Sequence, residues 1–278
     1  MNMNFKIVSD SSSDLLNVDG TAFSSVPLKI ITDNKEYVDN AELDVDEMIS
    51  DLEKYKGRSS SSCPNPQDWI EAFDDAENVF CVTITSGLSG SCNSANMAAD
   101  EYMEKHPDRR VYVVDSLSTG PENALIIHKL CEYIEKGLGF DEIVEKIKKY
   151  QKHTHLIFAL ESLHNLANNG RVSAVTAKLA GIIGIRVVGV ASEQGTLEIT
   201  NKSRGAKRML ADILENMKRF GYEGKKVRIH HCHNLEGAKA IKELILSLYP
   251  KAKIEIQKTR ALCSFYAERG GLLVGYEA

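Results

Sequence analysis

Three times within its first 120 residues the chain runs an apolar, β-branched segment into a cluster of serine, aspartate and glycine. The runs at 5–10, 78–85 and 110–116 end in Ser11-Ser-Ser-Asp14, in Ser86-Gly-Leu-Ser-Gly-Ser91 and in a Ser-Leu-Ser-Thr-Gly loop. Short apolar runs bounded in this way read as buried strands. Residues 44–55, with Val45, Met48, Ile49 and Leu52 at helical spacing, read as a helix, as do 122–136 and 140–150, and another begins at Asp68. A further strand is expected over 26–32. Strands alternating with helices imply a mainly parallel sheet covered on both faces, so residues 1–152 are expected to form a three-layer α/β/α domain. In such sheets ligands gather beyond the carboxyl ends of the strands, where the serine clusters fall.

The rhythm changes after residue 152. A strand or crossover at 154–160 leads to short helices expected from Ser162 and from Ser173. A hairpin then pairs 185–192 with 196–201, and helices at 204–220 and 235–248 alternate with strands at 226–233, 253–258 and 272–276. This pattern predicts a two-layer α/β domain with a mixed sheet over 153–278, and a ligand in the cleft between the domains.

With 278 residues, 43% of them hydrophobic, the chain can bury a substantial core. A net charge of −5 without a basic tail argues against a nucleic-acid surface. No apolar run approaches the roughly 20 residues of a membrane helix, and the N-terminus enters a strand without a signal-like segment. The expectation is a cytoplasmic protein with no transmembrane segment. Six dispersed cysteines, none in a CxxC pair, suit free thiols.

The chemistry centres on two serine-rich stretches. In 86–91, glycines and a following helix start offer unpaired N–H groups, and serines offer hydroxyls. Such a loop suits a carboxylate or phosphate, though a plain capping turn has the same composition. The second stretch, 58–66, also feeds a helix and is stiffened by Pro64 and Pro66. Neither has an adjacent lysine or arginine of the kind a multiply charged phosphate calls for, so a singly charged or neutral acid group is favoured. Gly87-Leu-Ser-Gly-Ser91 lacks the final glycine of a nucleophile elbow, and no Walker loop exists. A serine hydrolase acting on acyl esters through Ser86 or Ser89 stands as the alternative. His230-His-Cys-His233 alternates its ligands between two strand faces, which argues against a metal site. No cofactor is expected.

Taken in order, Ile7-Val-Ser-Asp-Ser-Ser-Ser-Asp-Leu15, Val26-Pro-Leu28, Ser61-Ser-Cys-Pro64, Ser86-Gly-Leu-Ser-Gly-Ser91, Val114-Asp-Ser116 and Gly170-Arg-Val-Ser173 resemble the motifs of the DegV family of bacterial fatty-acid-binding proteins. The resemblance spans almost the whole chain. It implies two α/β domains holding a long-chain fatty acid such as palmitate between them, for lipid transport or fatty acid metabolism, and no catalytic residue. Some family members are the lipid-carrying subunits of fatty acid kinase, in which a separate ATP-dependent kinase subunit phosphorylates the bound carboxylate. By position in these motifs, Ser61 and Ser86 become the first choices for carboxylate contacts, with Ser62, Ser89 and the Gly90 N–H beside them. Arg171 and Arg204 match family positions that could steer a head group or partner, or serve as interdomain structural pairs. Where the family carries His-x-Gly-Pro-Gly, this chain has Tyr266-Ala-Glu-Arg-Gly270. Tyr266 keeps a polar handle there but is no imidazole acid or base near neutral pH.

Overall fold

The protein was analysed as a computed structural model that describes residues 4–173 and 184–278. In the N-terminal part, β1 (Phe5–Asp10), β2 (Ala22–Val26), β6 (Asn78–Thr83) and β7 (Arg110–Asp115) form a parallel sheet in the order β2-β1-β6-β7. Both faces of its central strands are buried, as their continuous apolar runs require. On one face Val8, Val79 and Cys81 pack against Trp69 and Phe73 of α2 (Pro66–Phe73) and Ala95 and Ala98 of α3 (Ser91–Lys105). On the other, Ile7, Phe80 and Val82 meet Ile126, Ile127 and Leu130 of α4 (Pro121–Glu135) and Ile143 and Ile147 of α5 (Phe140–Gln151). The three-layer expectation therefore holds.

One detail differs. The expected strand over 26–32 is split by Pro27, which has no N–H to give a ladder. Residues before it stay in β2, and those after it form β3 (Lys29–Ile31) in a separate antiparallel sheet, β4-β3-β5, with β4 (Glu36–Val38) and β5 (Ser60–Ser62). The serine stretch expected as a loop is thus a short strand, its Ser61 opposite Ile30 and its Ser62 opposite Lys29. Helix α1 (Val45–Lys54) lies between β4 and β5 in sequence, its N-terminus capped by Asp44.

The C-terminal sheet has six strands in the order β10-β9-β8-β13-β11-β12 and mixes parallel with antiparallel pairs. It uses β8 (Thr154–Leu160), the hairpin β9 (Ile185–Ala191) and β10 (Leu197–Arg204), β11 (Lys226–His231), β12 (Lys253–Lys258) and β13 (Leu272–Glu277). Strand alternation divides its side chains. Ile157, Ala159, Val188 and Val274 face α7 (Ala206–Arg219) and α8 (Leu235–Leu248), while Leu156, Phe158, Leu160 and Leu273 face the N-terminal part of the chain. Two short helices, α6 (His164–Asn168) and α9 (Ala261–Ala267), close the second face. The expected helix from Ser173 falls, beyond that residue, outside the described residues.

Buried polar contacts join the two halves. Thr154 Oγ1 at the start of β8 donates to Glu122 in the first turn of α4 at 2.8 Å. Asp39 accepts the N–H groups of Ala261 and Leu262 at 3.2 and 3.0 Å, so a carboxylate from the N-terminal half caps α9. Asp14 accepts the N–H of Arg260 at 2.6 Å and lies 2.7 Å from His230 Nδ1.

Candidate functional site

β5 brings Ser61 beneath α9, where Ser61 Oγ lies 2.6 Å from Tyr266 Oη. The segment after β5 is fastened to the start of α3, because Ser94 Oγ donates to the Pro64 carbonyl at 2.8 Å. A Cβ placed on Gly90 would stand 3.4 Å from Cys63 Sγ, so the turns carrying the two serine motifs touch. The motifs separated by a helix and a strand in sequence thus converge in space.

They converge on a cavity. About 660 Å³ of space unfilled by protein atoms, its open part included, is walled by leucines and other apolar side chains from both halves of the molecule. Leu28, Ile84 and Leu88 contribute from one half, and Leu156, Phe158 and Leu160 of β8 from the other. Ser61, Ser89, Arg171 and Tyr266 supply a cluster of polar atoms, and Thr119 adds a further hydroxyl beside Cys263; all five are partly exposed while most of the apolar wall is buried. Among the described residues lining it there is no histidine and no carboxylate. Arg171 is held rather than free: its Nε donates to the Leu88 carbonyl at 3.1 Å, its Nη1 donates to the Asn169 carbonyl at 2.7 Å, and its guanidinium sits 5.7 Å from the centre of the Tyr266 ring. Burial raises the Tyr266 phenol above its usual range, opposed by the Ser61 hydrogen bond and the Arg171 charge. Tyr266 is therefore a neutral hydroxyl at physiological pH.

A sequence model of the DegV family, whose members it describes as uncharacterised, matches residues 4–278. The chain belongs to the DegV family. A DegV domain-containing protein of Streptococcus pneumoniae is 43% identical over 279 residues, covering 99% of each chain. Among solved structures, a DegV protein from Eubacterium eligens loaded with heptadecanoic acid superposes with a TM-score of 0.97 at 44% identity, covering 99% of both chains. The Streptococcus pneumoniae Fatty Acid Kinase (Fak) B3 protein loaded with linoleic acid gives a TM-score of 0.97 at 43% identity, again over 99% of both.

The DegV motifs do not all reach the cavity. Ser61 and Ser89 line it, but Ser62 points to the opposite side, as the period of two in β5 dictates. Ser86, a first choice from the sequence, is exposed and outside the wall. The turn is fixed by Thr85 N–H donating to the Ser118 carbonyl at 2.9 Å and Ser86 N–H donating to Asp115 at 3.1 Å, which leaves Ser86 facing outward. Gly90 is likewise exposed and stands at the N-cap of α3, next to the wall rather than in it. Arg204 ends β10, exposed, opposite Ile185, and does not join Arg171 at the cavity.

The DegV chain also takes up part of its own expected anion cradle. Asp10, fully buried, accepts the Ile84 N–H at 2.9 Å and the Ser91 hydroxyl at 2.6 Å, together with Ser12. Burial pushes its carboxyl upward while these donors hold it down. The donors after β6 thus bind an internal carboxylate. The histidine cluster disperses too: His230 meets Asp14, His231 Nδ1 accepts the Asn234 N–H at 3.2 Å, and His233, at φ 49, turns to Asp46 at 3.0 Å. Asn234 caps α8 by accepting the Gly237 N–H.

α9 was absent from the sequence reading. It is buried on nearly all sides, so it shows no polar face and no helical period. It nevertheless contributes Leu262, Cys263, Tyr266 and Ala267 to the wall.

Proposed function

We propose that this protein binds a long-chain fatty acid in the interdomain cavity, with the tail against the leucine wall and the carboxyl group at Ser61, Ser89 and Tyr266, near Arg171. The observation that carries the reading is the pairing of an apolar cavity walled from both halves with a cluster of neutral hydroxyls and one cation. Similar chains from Eubacterium eligens and Streptococcus pneumoniae hold heptadecanoic and linoleic acids, which supports the same class of ligand here.

Burying methylenes at about 0.8 kcal/mol each gives a sixteen-carbon tail on the order of 10 kcal/mol before ordering costs, so the tail dominates affinity. The hydroxyls set orientation, because an unpaired buried carboxyl costs several kcal/mol. Two domains, divided near residue 152, provide the two walls. The open polar end suits presentation of the carboxyl to a separate ATP-dependent kinase subunit, with this chain as the lipid-carrying and non-catalytic partner. Mass spectrometry of lipid extracted from the purified protein tests the reading: it should find long-chain fatty acids. Protein that carries no lipid and takes up none of an added fatty acid would refute it.

A further inference from the structure

A second cavity, sharing no lining residue with the first, lies between α4 and the strands β11 and β12. It holds about 800 Å³ of space unfilled by protein atoms, its open part included. The parallel register of the two strands sets Lys226 beside Lys253 and Arg228 beside Glu255, and all four line it.

Arg228 is the deepest of these charges, with its side chain 11% exposed. A guanidinium taken that far from water needs its donors matched. Its one ionic partner among the described residues is Glu255, at 2.7 Å, and that carboxylate is itself 68% exposed. His128, in the middle of α4, reaches the same cavity without a hydrogen-bond partner among the described residues. Burial, and after it the Arg228 charge, lowers the imidazole to about 4, so the ring is neutral. A guanidinium fork beside a neutral ring nitrogen is a receptor for a carboxylate.

The rim has the opposite character. Glu135 ends α4, where the helix dipole favours positive charge. Its Oε1 lies against the bare backbone of Gly20, 3.0 Å from where a Cβ would stand, so the turn carrying Asp19 shares the rim. Lys226 is already paired with Glu132, whereas neither Asp19 nor Glu135 has a cationic partner among the described residues. Charges of both signs therefore line the crevice in near balance, which suits neither a polyanion nor a bare cation.

We propose that this crevice binds a small zwitterion, its carboxylate on Arg228 and His128 and its ammonium group at Asp19 and Glu135. At about 1.5 Å per residue the helical steps from His128 to Glu135 cover roughly 10 Å. The two charges must therefore be separated by a short methylene chain rather than by a single carbon, and Cys131, between them on the same wall, gives that chain an apolar contact. The site stands apart from the fatty-acid reading.

ε-Aminocaproate is the probe, and caproate and hexylamine, each carrying one of its two charges, are the controls. Isothermal titration of the full chain should show ε-aminocaproate binding at least about tenfold more tightly than either control, as expected when one charged contact is lost. Arg228→Gln should weaken its binding by about tenfold, and Glu135→Gln, at an exposed position, by about threefold. If Arg228→Gln fails to fold by circular dichroism, Glu135→Gln and the two controls decide. No binding of ε-aminocaproate in the millimolar range, a control that binds as tightly, or unchanged affinity in a folded variant overturns the proposal.

Discussion

Ser61 and Tyr266, 205 residues apart in sequence, share a 2.6 Å hydrogen bond at the polar end of the cavity. One hydroxyl comes from a three-residue strand and the other from a seven-residue helix in the opposite half of the molecule. The bond therefore ties the two halves together beside the cavity. In the proposed binding mode these two hydroxyls meet the carboxyl group.

Removing either hydroxyl should weaken acid binding without emptying the tunnel. Ser61→Ala and Tyr266→Phe are each expected to lower affinity for palmitate by about tenfold, the usual cost of a lost hydrogen bond to a charged group. Binding of hexadecanol should change far less. Isothermal titration with both ligands checks this, and equal losses for acid and alcohol would contradict the head-group assignment.

Cutting the cap of α9 should loosen the whole site. Asp39 accepts the N–H groups of Ala261 and Leu262 and pairs with Arg260 Nε at 3.2 Å, all while buried. Asp39→Ala strands those donors and a half-buried guanidinium, so unfolding free energy should fall by about 3 kcal/mol. Denaturant titration measures the loss, and bound lipid should exchange faster in the same variant.

Stability should decline as the pH rises from about 4.5 to about 7, and Glu122 is the chief reason. Burial raises its carboxyl to about 7, opposed by the hydrogen bond from Thr154. A folded-state value above the unfolded one means that the native state holds the extra proton, so its contribution is complete below the unfolded value of 4.5 and is lost as pH rises through about 7. Asp39, raised to about 6 by burial, acts in the same sense at lower pH. Glu122→Gln keeps an acceptor for Thr154 and removes the titration. Melting curves between pH 5 and 8 should slope downward in the parent and less steeply in the variant, with the variant gaining on the order of 2 kcal/mol at the alkaline end.

The β9–β10 turn should not tolerate a side chain where it docks. Thr85 Oγ1 donates to the Gly195 carbonyl at 2.9 Å, and a Cβ on Gly195, at φ +71, would overlap that hydroxyl and lie 3.0 Å from Leu117 Cα. Gly195→Ala therefore meets both a strained backbone and a crowded contact, at a cost of about 1–3 kcal/mol. Hydrogen exchange should show the hairpin tip losing protection before the sheet does.

Much of this architecture is written in local patterns. The runs at 5–10, 78–83 and 110–115 became parallel strands because unbroken apolar stretches bury both faces, and α1, α5 and α7 carry plain helical periods. Ser61 and Ser89, which line the cavity, stood in serine-rich stretches next to helix starts that the sequence makes visible. That Ser86 lies outside the wall could not be read locally: adjacent serines look alike in sequence, and the Asp115 and Ser118 contacts that turn Ser86 outward come from a different strand loop. Asp10 escaped notice as the cradle's occupant because its donors lie 74 and 81 residues away. α9 escaped because a helix buried all round leaves no periodic trace.

The internal carboxylate of Asp10 has a consequence for how the strand ends are held. Its oxygens take the Ile84 N–H and the Ser91 hydroxyl. One side chain therefore knots the end of β1 to the segment after β6 and to the first residue of α3.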